Sequence, residues 1–127
     1  MPHTIRYLPE MHIIETAVKG LVNQDELKNV FSDGVQLAKE KDCFRFLNDF
    51  REANIQMSTM ELYELPEILS GISTSQGIQA GRLWRALVVG TSYTSDAIFA
   101  ENVTVNRGQH VKFFHDIEEA RAWLLKK

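Results

Sequence analysis

Hydrophobic positions along the chain follow two spacings, one typical of strands and one typical of helices. Short apolar runs bounded by turn residues predict strands at residues 4–8, 13–19, 44–47, 83–90 and 110–114. The short link from Pro9 to Met11 predicts an antiparallel hairpin for the first two strands. The run from Ala86 to Val89 is apolar throughout, which favours a parallel strand covered on both faces.

Polar residues at capping-box spacing mark where helices begin. In this pattern an N-cap side chain and a carboxylate three residues later bond the free N–H groups of the first turn. The pairs with this spacing are Asn23 and Glu26, Ser58 and Glu61, and Asp116 and Glu119. A further helix is predicted at 95–106, with Gly108 as its stop. Helices that alternate with strands predict an α/β fold in the order β-β-α-β-α-β-α-β-α, with one mixed sheet of about five strands.

The segment 58–72 combines a helical apolar spacing with a residue that interrupts helices. Pro66 lacks an N–H and collides with the preceding turn. We therefore predict a short helical piece, a break near Leu65, and a second helix that opens at Pro66 and is ended by Gly71 and the run from Ser73 to Gly77.

Composition and charge narrow the class of protein. The chain has 127 residues, of which 44% are apolar and 24% charged, so we expect one globular domain over residues 1–127. A net charge of −3 with scattered basic residues argues against nucleic acid as a partner. Cys43 is the only cysteine, so no internal disulfide can form and a reducing compartment is expected. With no long apolar run and no signal-peptide pattern, we expect a cytoplasmic protein, with contact at a membrane surface left open.

Several stretches of the chain resemble a known family. The tail ENVTVNRGQHVKFFHDIEEARAWLLKK has an asparagine-arginine-glycine turn, a strand, an acidic helix start and a helix containing alanine and tryptophan. Together with LYELPEIL, RALVVG and the element order, this tail resembles the SpoIIAA-like family of the STAS superfamily over nearly the whole chain. The resemblance implies that family's fold, and a fold-level likeness to CRAL-TRIO lipid-transfer domains, which hold apolar ligands under a mobile helical gate.

The first functional hypothesis is a non-enzymatic module that holds a small apolar or amphipathic, lipid-like ligand. The ligand would lie between the sheet and the segment 58–72, with docking at a membrane surface when that segment opens. Asp49 follows the strand 44–47, at the end that faces the ligand crevice in open α/β sheets. The predicted ligand-binding residues are Phe46, Asp49, Met57, Met60, Leu62, Tyr63, Leu65, Leu69, Tyr93 and His115. Ordinary core packing is the alternative for the apolar members of this set.

The second hypothesis is a protein-interaction switch controlled by phosphorylation. The resemblance implies it, because anti-sigma-factor antagonists of the superfamily carry a phosphorylated serine at the start of the helix after the third strand. Their aspartate-serine-serine-glycine motif is absent here, and only Ser58 and Thr59 occupy the corresponding region. A phosphate at a helix start gains from the helix dipole. Helix capping is the alternative role for Ser58 and Thr59.

Catalytic and metal-binding motifs are missing from the sequence. There is no Gly-x-Ser-x-Gly elbow and no phosphate-cradling glycine loop, so we expect no enzymatic activity. Asp116 beside His115 is better explained as a helix cap. A lone cysteine and scattered histidines give no zinc pattern, and no cofactor is predicted. A homodimer is compatible with a small domain, although no residue demands one.

Overall fold

The computed structural model describes residues 3–90 and 108–127. Its strands are β1 (His3–Leu8), β2 (Ile13–Val22), β3 (Arg45–Ile55), β4 (Trp84–Val88) and β5 (His110–Phe114). All five predicted strands are confirmed, and β2 and β3 are longer than predicted.

The described helices are α1 (Gln24–Lys41), α2 (Thr59–Ser75) and α3 (Ile117–Leu125), and a 3-10 turn spans Ala80–Arg82. Each helix begins where a cap was predicted. The side chains of Asn23, Ser58 and Asp116 accept hydrogen bonds from backbone N–H groups of the first turn. The helix predicted at 95–106 lies outside the described residues.

The strands form one mixed sheet in the order β1-β2-β3-β4-β5. The β1–β2 pair is antiparallel, as the hairpin prediction required, and the other three pairs are parallel. Helices α1 and α2 cover one face, where Phe31, Val35 and Leu69 pack on Ile14 and Phe46. Helix α3 covers the opposite face through Ala120 and Leu124, which pack on Leu47 and Ala86. Both faces of the central strands are therefore buried, which explains the apolar run in β4.

Strand β3 continues well beyond the predicted end at Leu47. Its second half pairs with β2, and Val22 lies opposite Ile55. Buried Phe50 and Ala53 hold this half against the core, while the polar residues between them are exposed. An extra residue in β3 between Asp49 and Glu52 forms a bulge against β2. The predicted loop after Leu47 is wrong because this stretch is a strand, in which Asn48 is buried and Arg51, Glu52 and Asn54 are exposed.

Helix α2 is continuous from Thr59 to Ser75, so the predicted break near Leu65 is wrong. Gly71 lies inside the helix, which ends within the predicted run from Ser73 to Gly77. Pro66 costs a helix interior about 3 kcal/mol, since it removes one backbone hydrogen bond and crowds the preceding turn. Here its ring is fully buried, and its carbonyl accepts a hydrogen bond of 2.7 Å from the Gln109 side chain. Packing along the buried side of a 17-residue helix offsets this local cost.

Candidate functional site

The best-defined exposed polar feature is the start of α2. The Ser58 hydroxyl accepts a hydrogen bond of 3.1 Å from the Glu61 N–H, and the Glu61 carboxylate accepts one of 3.0 Å from the Ser58 N–H. This reciprocal pair is a complete capping box, as predicted from the spacing. Ser58 and Thr59 are both exposed to solvent. The hydroxyl that caps the helix is therefore also accessible from outside.

Two contacts fix this helix start against the end of β2. The Gln56 N–H donates to the Val22 carbonyl at 2.8 Å, so the pairing with β2 continues one residue beyond the end of β3. The Gln24 side chain donates to the Glu61 carbonyl at 3.2 Å, which joins the starts of α1 and α2. Ser58 thus lies on a well-anchored corner and not on a free loop.

Exposed apolar side chains lie near the same corner. Among the described residues, the large apolar side chains that are most exposed include Leu21 at 59%, Met60 at 67% and Tyr63 at 47%. Leu21 lies near the end of β2, and Met60 and Tyr63 lie in the first turns of α2. The α2 sequence also contains three glutamates and neither lysine nor arginine. We call the surface formed by Ser58, Met60, Tyr63 and Glu64 the α2 corner.

The side chains predicted to line an apolar pocket do not converge. Phe46 and Leu69 are buried in the core between the sheet and the helices. Met57, Leu62 and Leu65 are half-buried, and Met57 and Leu65 pack on core residues. Met60 and Tyr63 point toward solvent. The described members of this set therefore do not line one common pocket, because the continuous helix places them on different sides.

The cavity beneath α2 is small. It has a volume of about 20 Å³ and lies beside Phe46, Leu69 and Arg85. Ligand pockets for small organic molecules typically enclose about 300–1,000 Å³. A water molecule needs roughly 10–15 Å³, so this cavity accommodates one water-sized species. The described residues therefore offer no room under α2 for a lipid-like ligand.

Asp49 lies on the other face of the sheet, toward α3. Its carboxylate accepts hydrogen bonds from the Arg51 guanidinium at 2.8 and 2.9 Å. Burial opposes ionisation of Asp49, but the hydrogen bonds from Arg51 outweigh it, and the pKa of Asp49 is held below its ordinary value. Nearby on this face, Arg121 bridges Glu15 at 3.1 Å and Glu118 at 2.8 Å. Asp49 therefore belongs to a set of surface ion pairs and does not line the cavity.

The remaining predicted polar residues also have structural partners. His115 Nδ1 lies 3.0 Å from the Val89 carbonyl, so the ring is tied to the end of β4. The Asp116 carboxylate accepts from the Glu118 N–H at 2.8 Å, which confirms its role as a cap. Tyr93 lies outside the described residues. Within residues 3–90 and 108–127, no group of three histidine, cysteine or acidic side chains could hold a metal ion.

Two arginines have roles that the sequence pattern did not reveal. Arg45 donates to the backbone carbonyls of Met11, His12 and Leu124, and so joins the β1–β2 hairpin to the end of α3. Arg85 is buried in the core and bonds the Gln109 side chain at 3.0 Å. A charged residue inside an otherwise apolar strand was the available signal, since such a residue needs a specific partner.

No known family's sequence profile matches this chain, and no curated protein matches it in sequence. Among solved structures, the chain is similar to an uncharacterized protein of the DUF3478 family with a SpoIIAA-like fold from Shewanella loihica PV-4. That likeness has 15% identity over 96% of this chain and 91% of that chain, with a TM-score of 0.56. The chain is also similar to the anti-sigma factor antagonist SpoIIAA in its unphosphorylated form, with 10% identity over 95% of this chain and 96% of that chain and a TM-score of 0.52.

At these identities the likeness concerns the fold, and it confirms the predicted SpoIIAA-like, STAS-type architecture. The likeness to CRAL-TRIO domains, the cytoplasmic location and the absence of catalysis stay predictions. No helix in the described part of the chain is long and apolar enough to cross a membrane.

Proposed function

We propose that this chain is a regulatory protein-interaction module whose partner contacts the α2 corner, and that phosphorylation of Ser58 controls the contact. The observation that carries the proposal is an exposed serine hydroxyl at the N-cap of the helix after β3, beside exposed apolar side chains. The fold it shares with an anti-sigma factor antagonist, solved in its unphosphorylated form, supports the same interpretation.

The composition of the α2 corner favours a protein as the occupant. Large apolar side chains grouped on a surface are typical of binding sites, and tyrosine and methionine are enriched where proteins meet. The glutamates of α2 add negative charge without a basic residue in the helix. A complementary partner therefore combines apolar groups with basic groups.

A phosphate on Ser58 would change the charge of this surface at a modest local cost in stability. It carries about 1.5–2 negative charges, and the helix dipole stabilises such a group by about 0.3–1 kcal/mol. The Glu61 carboxylate opposes it, because Glu61 bonds the Ser58 N–H at 3.0 Å. Two unit charges about 4 Å apart repel by about 1 kcal/mol in water, so a phosphate of about 1.5–2 charges would be repelled by about 1.5–2 kcal/mol. The repulsion exceeds the dipole term, so Glu61 would be displaced and the corner would become more acidic.

A ligand-holding function and a membrane-docking function have less support. Both required α2 to open as a hinged segment over a sizeable pocket. The helix is continuous, and the cavity beneath it has a volume of about 20 Å³. The acidic character of α2 also disfavours contact with anionic lipid.

Phosphorylation is tested with purified protein, ATP and a panel of serine kinases, followed by intact-mass measurement. We expect one phosphate on the wild-type chain and none on Ser58→Ala. Thr59→Ala is the matched control, and it should still accept the phosphate. If Thr59→Ala loses the phosphate and Ser58→Ala keeps it, Thr59 is the acceptor instead. If neither residue accepts phosphate from any kinase, phosphorylation control is excluded.

The contact surface is tested separately by photo-crosslinking in cells of the natural host. A photoreactive amino acid at position 60 should capture one defined protein, and the same group at Leu125, another exposed apolar site, should not. Ser58→Asp should increase the capture, because the added negative charge attracts the basic groups of the partner, whereas Ser58→Asn should leave it unchanged. Equal capture from positions 60 and 125 would contradict a specific site at the α2 corner.

A further inference from the structure

Arg85 carries a charge into the protein core. It lies in β4 opposite Phe46 of β3, on the face covered by α1 and α2, and the residue is 7% exposed. Burial lowers the pKa of the guanidinium to about 10, so it is still protonated at neutral pH. An isolated buried charge is costly unless an opposite charge or several hydrogen bonds compensate it.

The described residues compensate the buried charge of Arg85 only in part. Arg85 Nη2 donates to the side-chain oxygen Oε1 of Gln109 at 3.0 Å, and the guanidinium carbon lies 5.8 Å from the centre of the Phe31 ring. The Nε atom is buried and has no hydrogen-bond partner. No carboxylate among the described residues forms an ion pair with Arg85. Within this part of the chain, one N–H and one positive charge therefore lack a partner.

The small cavity under α2 lies next to this group. Arg85 lines it together with Thr16 and Asn48, and the rest of the lining is apolar. Thr16 and Asn48 are nearly fully buried, and each supplies a hydrogen-bond donor, a hydroxyl and an amide NH₂. None of the described residues that line it carries a carboxylate. A buried cation with an unpaired N–H, next to further donors and without a carboxylate among the described residues, favours an anion in this cavity.

We propose that this cavity binds a single monatomic anion, chloride in its natural setting, which completes the hydrogen bonding of Arg85. The volume of about 20 Å³ sets the size limit, since it accommodates one water-sized species and excludes polyatomic anions. The site is separate from the α2 corner, and the proposal does not depend on phosphorylation or on a protein partner.

The first test measures thermal unfolding in sodium chloride and in sodium gluconate at equal ionic strength. Gluconate is too large for the cavity. Above the dissociation constant, each tenfold rise in chloride should raise the Tm by about 4–6 °C relative to gluconate. Equal Tm values in the two salts at every concentration would overturn the proposal.

Two variants separate this site from general salt effects. Asn48→Asp places a carboxylate of nearly the same shape in the cavity lining, so the protein supplies its own counter-charge. It should fold, and its Tm should be the same in chloride and gluconate. Arg85→Met removes the charge and should also lose the chloride dependence. If either folded variant keeps the wild-type dependence, chloride acts elsewhere on the protein.

The second test locates the anion directly and needs no variant. Crystals of the wild-type protein grown in sodium bromide should show an anomalous bromide peak beside Arg85 Nε, within hydrogen-bond distance. A well-ordered cavity that contains only a water molecule, or a carboxylate of the chain against Nε, would overturn the proposal.

Discussion

The capping box at Ser58 permits a test in which the structural and regulatory roles of one hydroxyl are separated. Ser58→Ala removes the acceptor that the Glu61 N–H uses at 3.1 Å. Loss of such a cap typically costs about 1 kcal/mol. For a domain of this size, that corresponds to a decrease in Tm of roughly 3–5 °C.

Substitutions that keep an acceptor should behave differently. Asparagine and aspartate cap helices about as well as serine. The free energy of unfolding of Ser58→Asn should therefore lie within a few tenths of a kcal/mol of the wild-type value. Ser58→Asp adds a charge that the helix dipole favours and the Glu61 carboxylate opposes, so its stability should also stay near the wild-type value. Any difference in partner binding between these two variants then reports the charge and not the cap.

Urea unfolding followed by circular dichroism and tryptophan fluorescence measures these free energies. Thr59→Ala is the matched control, since it truncates the neighbouring exposed hydroxyl without removing the cap. The slope of the unfolding free energy against urea concentration should be the same for all variants, because the surface area exposed on unfolding is nearly the same in each. The reasoning is refuted if Ser58→Ala is as stable as Thr59→Ala, or if Ser58→Asn is as unstable as Ser58→Ala.

Two further predictions test the continuity of α2 and the ion pair on the α3 face. Gly71→Ala should raise the free energy of unfolding by about 0.5–1 kcal/mol, because Gly71 is an exposed residue inside the helix and an added Cβ meets no atom within 4 Å. If the substitution is destabilising, the helix is not continuous at this position. Arg51→Met should destabilise the protein at neutral pH, and the loss should shrink as pH falls below about 3.9, the ordinary pKa of aspartate. The sign follows because the pKa of Asp49 is lowered in the folded protein, so its contribution is present at high pH and lost on acidification. A loss that does not change with pH would contradict the ion-pair explanation.

Local sequence signals were sufficient for the element order and for the helix starts. The hairpin through Pro9, the strand at 110–114 and the caps at Asn23, Ser58 and Asp116 all depend on residues a few positions apart. Such neighbours interact in the same way in most folds, which is why spacing alone predicted them. The α/β class followed from the alternation of these elements.

Contacts between residues that are far apart in the sequence determine the features on which the ligand hypothesis depended. Pairing with β2 extends β3 to Ile55, and contacts with the sheet and Gln109 keep α2 continuous through Pro66. The predicted gate over residues 58–72 required a hinge that these contacts prevent. Sequence spacing therefore located the exposed serine at a helix start but not the space beneath that helix.

Residue spacing was enough to place the starts of strands and helices and the hydroxyl that caps α2. Hydrophobic periodicity and helix capping involve residues that are close together in the chain, so they do not depend on the rest of the fold. The tertiary structure alone decided that Pro66 lies inside one helix, that Arg45 joins three distant carbonyls, and that Arg85 lies buried beside a small cavity. These outcomes depend on groups separated by many residues, whose approach is fixed by how the layers pack around the sheet.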